Sequence, residues 1–112
     1  MVDAISPSKA AEIIANQHVD IVDVRDENEW VAGHIPGARL LPLDQLRADP
    51  EHTLTHDSII LFVCAKGARS LTAAKLADRL GGYGHVYSLD GGTKEWARAG
   101  LPLVVEQRAA AA

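Results

Sequence analysis

The chain has 112 residues, of which 47% are hydrophobic and 23% charged, and this composition excludes intrinsically disordered and collagen-like classes. Eleven Lys and Arg against fifteen Asp and Glu give a net charge of −4. Because no basic tract stands out, we expect no nucleic-acid partner.

The sequence lacks features that are typical of membrane-spanning, secreted and disulfide-bonded proteins. The longest apolar run, Ile59–Ala65, is too short to span a membrane, and the N-terminus lacks the pattern of a secretory signal. The single cysteine cannot form an internal disulfide. We therefore expect a cytoplasmic protein in a reducing compartment, with no membrane partner.

The first half of the chain alternates strand and helix patterns. A weak strand candidate at Ala4–Ile5 precedes a helix whose predicted N-cap is Ser6, with proline at the first helical position. Asp20–Val24 is short, β-branched and free of polar alternation, which indicates a strand buried on both faces. Arg39–Leu41 is a weaker strand candidate.

The second half of the chain has the clearest elements. Ile59–Val63 again has the composition of a fully buried strand, and Ser70–Leu80 predicts the best-defined helix. Val86–Leu89 is a weaker strand candidate, and Thr93–Ala99 predicts a last helix. The inward face of the Ser70–Leu80 helix is predicted to consist of Leu71, Ala74, Leu76, Ala77 and Leu80.

Strands that alternate with helices predict a mostly parallel α/β sheet with helices on both faces. We expect one domain over residues 1–105 and a flexible C-terminal tail over residues 106–112, which ends in four alanines. In such a sheet, ligands bind at the carboxyl ends of the strands. Residues that directly follow strands are therefore the candidates for function.

A cysteine follows the buried strand Ile59–Val63, and Ser70 then opens the predicted helix. A loop between a strand and a helix N-terminus directs backbone N–H groups into a concavity, where they stabilise a thiolate. The alternative is that Cys64 is a small buried apolar residue. The glycine at position 67 and the cations Lys66 and Arg69 favour the reactive thiolate instead.

The sequence resembles the rhodanese (thiosulfate sulfurtransferase) family in three motifs that occur in the family's order. The cysteine loop resembles the family's Cys-x-x-Gly-x-Arg-Ser pattern, matched by Cys64, Gly67, Arg69 and Ser70. The upstream motif comprises Asp23–Arg25, Glu29–Trp30 and Gly33–Ala38. The downstream motif comprises Leu89–Gly92, Trp96 and Gly100–Pro102. The resemblance covers about residues 20–102 and implies the single-domain form of a rhodanese-like three-layer α/β/α fold with a five-stranded parallel sheet.

The resemblance also implies an activity: transfer of a sulfane sulfur from thiosulfate or a persulfide donor to a thiol or cyanide acceptor, through a Cys64 persulfide. It implies a small anionic donor, with a persulfide-carrying protein as a further possible partner, and neither a cofactor nor a metal. Cys64 is then the catalytic residue. The expected substrate-binding residues are those of the loop that follows it, Ala65, Lys66, Gly67, Ala68 and Arg69.

Asp23, Arg25 and Ser70 are the expected supporting residues, and the sequence allows two roles for the first two. Asp23 and Arg25 end a buried strand at the functional edge, either as catalytic groups or, as we favour, as a buried charge network that orients the cysteine loop. Ser70 begins the helix after the loop. Arg69 either stabilises charge on departing sulfite or forms an ion pair with Asp23 or Glu29, and the two roles are compatible.

Two other functions remain as alternatives. A rhodanese-like interaction module without catalysis typically lacks the cysteine, which is present here. Dual-specificity phosphatases resemble this fold but have five residues between Cys and Arg, whereas this chain has four. Removing one residue narrows the loop by roughly 0.5 Å in radius, which disfavours a phosphatase or arsenate reductase. His52 and His56 have a spacing compatible with metal binding, but their surroundings predict a solvated loop.

Overall fold

The computed structural model describes residues 1–54 and 58–106, and in these residues five parallel strands form one sheet. Its spatial order is β1-β5-β4-β2-β3. The strands are β1 (Val2–Ile5), β2 (Asp20–Asp23), β3 (Arg39–Leu40), β4 (Ile59–Val63) and β5 (His85–Leu89). All five predicted strands are present, with bounds that differ by at most two residues from those expected.

Helices cover both faces of the sheet, which confirms the predicted three-layer architecture. They are α1 (Pro7–Asn16), α2 (Glu27–Ala32), α3 (Leu43–Ala48), α4 (Pro50–Thr53), α5 (Ala68–Leu80) and α6 (Gly92–Arg98). One core cluster joins α3 and α5 to the sheet through Leu46, Phe62 and Ala74. The other joins α1 and α6 to the opposite face through Ala10 and Trp96.

The central position of β4 explains why its carboxyl end carries the candidate site. Every residue of β2 and β4 is buried, as predicted from their short β-branched runs without polar alternation. Strand β4 pairs with β2 on one side and with β5 on the other. The residues that follow β4 are therefore flanked by the ends of two neighbouring strands.

The inward face of α5 differs from the prediction. Leu71 and Leu80 are 36% and 42% exposed, although both were expected to face the core. Small side chains occupy the inward face instead, because little space separates the helix from β4 and β5. The buried residues of α5 are Ser70, Ala73, Ala74 and Ala77.

Residues 50–53 form a short helix where a solvated loop was predicted. Asp49 caps α4 through its side chain, which accepts a hydrogen bond from the His52 amide at 3.4 Å, and Pro50 takes the first position. His56 lies outside the described residues. In the described part of the chain, no helix is long and apolar enough to cross a membrane.

The start of the predicted C-terminal tail contacts the domain. The Glu106 amide donates a hydrogen bond to the Val31 carbonyl at 3.0 Å. Residues 107–112, the rest of that tail, lie outside the described residues.

The packing of α5 predicts opposite sensitivities for an alanine and a leucine on the same helix. Ala74→Leu should lower the free energy of unfolding by about 1–3 kcal/mol, because Ala74 is fully buried and a larger side chain overpacks the core. Leu80→Ala should cost about 1 kcal/mol or less, because Leu80 lies at the exposed end of the helix and is 42% exposed. Urea unfolding of both variants measures the difference. A larger cost for Leu80→Ala would contradict this orientation of the helix.

Candidate active site

Cys64 lies at the floor of a cavity at the carboxyl edge of the sheet. It directly follows β4, its side chain is almost fully buried, and its Sγ accepts a hydrogen bond from the Gly67 amide at 3.0 Å. The cavity has a volume of about 410 Å³. It is lined by Glu29, Cys64, Ala65, Lys66, Ala68 and Arg69.

The loop that surrounds the sulfur requires a glycine at position 67. Gly67 has φ of 111°, in the left-handed region, and serves as the N-cap of α5. A Cβ at this position would also lie 3.3 Å from the Gly91 nitrogen. This conformation directs the Gly67 amide at Cys64 Sγ.

Helix α6 supports the same loop from the outside. The Thr93 amide donates to the Cys64 carbonyl at 2.8 Å, and the Lys94 amide donates to the Ala65 carbonyl at 3.1 Å. A Cβ at Gly92 would overlap both of these carbonyl groups. The two loop carbonyls are thus held by α6.

Two buried serines extend the hydrogen-bond network around Cys64 Sγ. Ser70 Oγ lies 3.4 Å from Cys64 Sγ and donates to the Gly67 carbonyl at 3.0 Å. Ser88 Oγ lies 2.9 Å from Ser70 Oγ. Ser70 was predicted as a supporting residue, whereas Ser88 was not singled out. Its only signal in the sequence is a hydroxyl within an otherwise mostly apolar strand.

The hydrogen bonds among Cys64, Ser70 and Ser88 change direction when the thiol loses its proton. A neutral thiol donates to Ser70 Oγ, which leaves the Ser70 proton for the Gly67 carbonyl. A thiolate accepts instead, so the Ser70 proton turns to the sulfur and Ser88 donates to Ser70 Oγ. Cys64 Sγ therefore has Ser70 as a hydrogen-bond partner in both states.

The pKa of the Cys64 thiol is held below its ordinary value. Burial by itself raises this pKa, and it is the largest single effect. The Ser70 hydroxyl and the backbone amides of Ser70, Gly67 and Lys66 act in the opposite direction and together outweigh burial. A thiolate at the floor of this cavity is a nucleophile.

The two cations of the loop differ in their pairing. Arg69 forms a bidentate ion pair with Glu29, with N–O distances of 2.8 and 3.0 Å. This pair lowers the pKa of Glu29 and raises that of Arg69, mainly through its hydrogen bonds. Of the two partners predicted for Arg69, the structure shows Glu29. Lys66 is exposed, and its ammonium has no ion pair within residues 1–54 and 58–106.

Asp23 and Arg25 form a separate buried pair beside the site. The Arg25 guanidinium donates to the Asp23 carboxylate at 2.7 Å and to the Gly33 carbonyl at 2.7 Å. In the described part of the chain, neither side chain hydrogen-bonds to residues 64–70. Arg25 lines a neighbouring cavity of about 250 Å³ together with Arg69. The Arg25 side chain thereby links Asp23 to Gly33, and these residues lie at the two ends of the segment that carries Glu29.

Metal ions in proteins are held by clusters of His, Cys, Asp or Glu side chains. No group of three or more His, Cys, Asp or Glu side chains in the described residues could hold a metal ion.

Comparisons with known proteins agree with this architecture. A family model described as Rhodanese-like domain matches residues 6–99. The uncharacterized protein YqhL of Bacillus subtilis (strain 168) is 40% identical over 76 residues, which cover 68% of this chain and 59% of that protein, less than two thirds of its length. A protein of Pseudomonas putida (strain GB-1) named thiosulfate sulfurtransferase GlpE is 39% identical over 107 residues, which cover 95% of this chain and 94% of that protein.

A solved structure shows the same fold. The crystal structure of a rhodanese-related protein from Thermoplasma volcanium superposes with a TM-score of 0.81 and 29% sequence identity, covering 93% of this chain and 99% of that chain. The family match extends over most of the chain and includes the cysteine loop, the upstream motif, and the downstream motif as far as Trp96. The chain belongs to the rhodanese-like domain family.

Proposed function

We propose that this protein is a sulfurtransferase that carries a sulfane sulfur on Cys64 as a persulfide. The observation that supports it most strongly is the hydrogen bond from the Gly67 amide to Cys64 Sγ at the floor of an open cavity. A structural cysteine needs neither this hydrogen bond nor a lowered pKa. Membership of the rhodanese-like family and the relative named thiosulfate sulfurtransferase support the same activity.

The first half-reaction is a displacement at sulfur. The Cys64 thiolate attacks the sulfane sulfur of thiosulfate, the sulfur–sulfur bond of the donor breaks, and its electron pair leaves with sulfite. The products are a Cys64 persulfide anion and sulfite, so charge and atoms balance. The Lys66 ammonium attracts the donor and stabilises charge on the departing sulfite, with a smaller contribution from the paired Arg69.

The second half-reaction restores the thiolate. The outer sulfur of the persulfide lies among the amides that held the thiolate, and a nucleophilic acceptor attacks it. The acceptor is cyanide in an assay and a thiol, free or on a partner protein, in a reducing cytoplasm. Cys64 leaves as the hydrogen-bonded thiolate and needs no general acid, while cyanide or the thiolate form of the acceptor supplies the attacking electron pair.

The two alternative functions are less well supported. An interaction module without catalysis would not require the hydrogen bonds that lower the pKa of Cys64. A phosphatase or arsenate reductase needs room for a tetrahedral oxyanion within the loop, and four residues separate Cys64 from Arg69. Asp23 and Arg25 act in this proposal as a structural pair, since their side chains bond to each other and to the Gly33 carbonyl.

Incubation with thiosulfate should add the mass of one sulfur atom to the protein, and cyanide should remove it. Cys64→Ser should abolish the adduct, because Cys64 is the only sulfhydryl in the chain. Intact-protein mass spectrometry measures both results.

The absence of an adduct on the wild-type protein would refute the proposed activity. Vigorous hydrolysis of an aryl phosphate by the same preparation would favour a phosphatase instead.

The rate of alkylation by iodoacetamide should report the lowered pKa of Cys64. The thiolate is the reacting form, so the rate rises with pH and levels off above the pKa. In the wild-type protein this rise should occur below the usual range for a thiol, and in Ser70→Ala it should move to higher pH, because a hydrogen bond to the thiolate is lost. Thr72→Ala, on the exposed face of α5, is the matched control.

An unchanged pH profile in Ser70→Ala would show that the hydroxyl does not stabilise the thiolate.

Lys66→Ala should raise KM for thiosulfate about three- to tenfold, because the side chain supplies an unpaired positive charge at the cavity. The effect on a less charged donor such as 2-hydroxyethyl persulfide should be smaller. Lys75→Ala removes the same charge from the exposed face of α5 and should leave both values near those of the wild-type protein. Steady-state kinetics with both donors measures the contrast, and equal effects of Lys66→Ala on the two donors would show that Lys66 does not act through substrate charge.

A further inference from the structure

The cavity above Cys64 has little net charge once the thiolate is included. Among the residues that line it, Lys66 and Arg69 are cationic, Glu29 is anionic, and the Cys64 thiolate adds a second negative charge. Two positive and two negative charges cancel. A donor that enters this cavity therefore meets a nearly neutral environment.

Glu29 is responsible for this balance. Its carboxylate lies in the cavity wall and accepts both N–H groups of the Arg69 guanidinium, at 2.8 and 3.0 Å. A bidentate pair of this kind is strong and directional. The two N–H groups of Arg69 in this pair are therefore not available to hydrogen-bond a sulfur donor.

The surroundings of this pair supply no replacement cation. Asp26 caps α2 and adds a further negative charge beside Arg69. The neighbouring guanidinium of Arg25 is already paired with Asp23. In the described part of the chain, Lys66 is thus the cavity-lining cation without a carboxylate partner.

This charge balance distinguishes two classes of sulfur donor. Thiosulfate is a dianion, so its entry leaves two uncompensated negative charges beside the thiolate. An organic persulfide carries at most one. We propose that Glu29 is a specificity-determining residue which, by occupying Arg69, suits the site to organic persulfides and disfavours thiosulfate.

The proposed step with an organic persulfide rests on the sulfurtransferase function described above. The Cys64 thiolate attacks the outer sulfur of R–S–S–H, and the bond between the two donor sulfurs breaks. The electron pair leaves on the thiolate R–S⁻, while the proton stays on the transferred sulfur. The neutral donor brings no charge into the cavity, and the negative charge of the Cys64 thiolate leaves on R–S⁻, so the cavity never has to hold a dianion.

Replacement of Glu29 by glutamine tests this inference, because it removes the charge and keeps the shape of the side chain. In Glu29→Gln, kcat/KM should rise about tenfold for thiosulfate and about threefold for the monoanion methanethiosulfonate, because the gain scales with donor charge. For 2-hydroxyethyl persulfide the change should be no larger than for methanethiosulfonate. These gains in kcat/KM should come mainly from a lower KM, and they should shrink at high ionic strength.

Two control variants separate local charge from other effects. Glu29→Gln combined with Arg69→Gln restores the net charge of the cavity, so its thiosulfate KM should return toward that of the wild-type protein. Glu12→Gln, an exposed carboxylate on α1, changes only the overall charge and should have no effect.

The outcomes distinguish this inference from the proposed function. A charge-graded rise supports the role of Glu29. An equal change for all donors, or no change, overturns it while persulfide formation on Cys64 still stands. If the wild-type protein takes sulfur from none of the three donors, the proposed function fails and the role of Glu29 fails with it.

Discussion

The hydrogen bonding of one buried sulfur atom is the constraint on which the site depends. A thiolate removed from water is unfavourable unless polar groups of the protein replace the lost hydration. Here the Gly67 amide and the Ser70 hydroxyl supply that replacement, with Ser88 behind Ser70. Together with the backbone amides of Ser70 and Lys66, the Gly67 amide and the Ser70 hydroxyl outweigh the effect of burial, so the pKa of Cys64 falls. Burial alone would keep the thiol protonated and unreactive, whereas burial combined with these hydrogen bonds produces a nucleophile.

The fold provides this arrangement by bringing three segments to one edge of the sheet. Strand β4 delivers Cys64, the left-handed Gly67 turns the chain into α5, and the start of α6 holds the loop carbonyls. The tight approach of Gly92 to the loop leaves no room for a side chain. Burial of β4 on both faces keeps the position of the sulfur rigid, which is why a short loop can hold a reactive group so closely.

The sequence predicted the fold and the location of the candidate site at the end of β4, for physical reasons that also explain where the prediction failed. Short β-branched runs without polar alternation identified the buried strands, and the cysteine between a strand and a helix identified the cavity. Leu71 and Leu80 were wrongly assigned to the inward face of α5, because hydrophobicity favours the burial of leucine. The narrow space above the sheet favours small residues, among them Ala74 and Ala77, which were assigned correctly. Ser88 was missed because its contact with Ser70 depends on strand register. The choice of Glu29 over Asp23 as the partner of Arg69 likewise required the tertiary structure.

The most direct measurement of the central claim is a pH titration of Cys64 followed by the NMR signal of its ¹³C-labelled Cβ. Because the chain contains a single cysteine, the signal is unambiguous. The hydrogen bonding described here predicts a transition below the usual pKa range of a thiol. A sulfhydryl that remains protonated through neutral pH and titrates only at or above the ordinary value would contradict it.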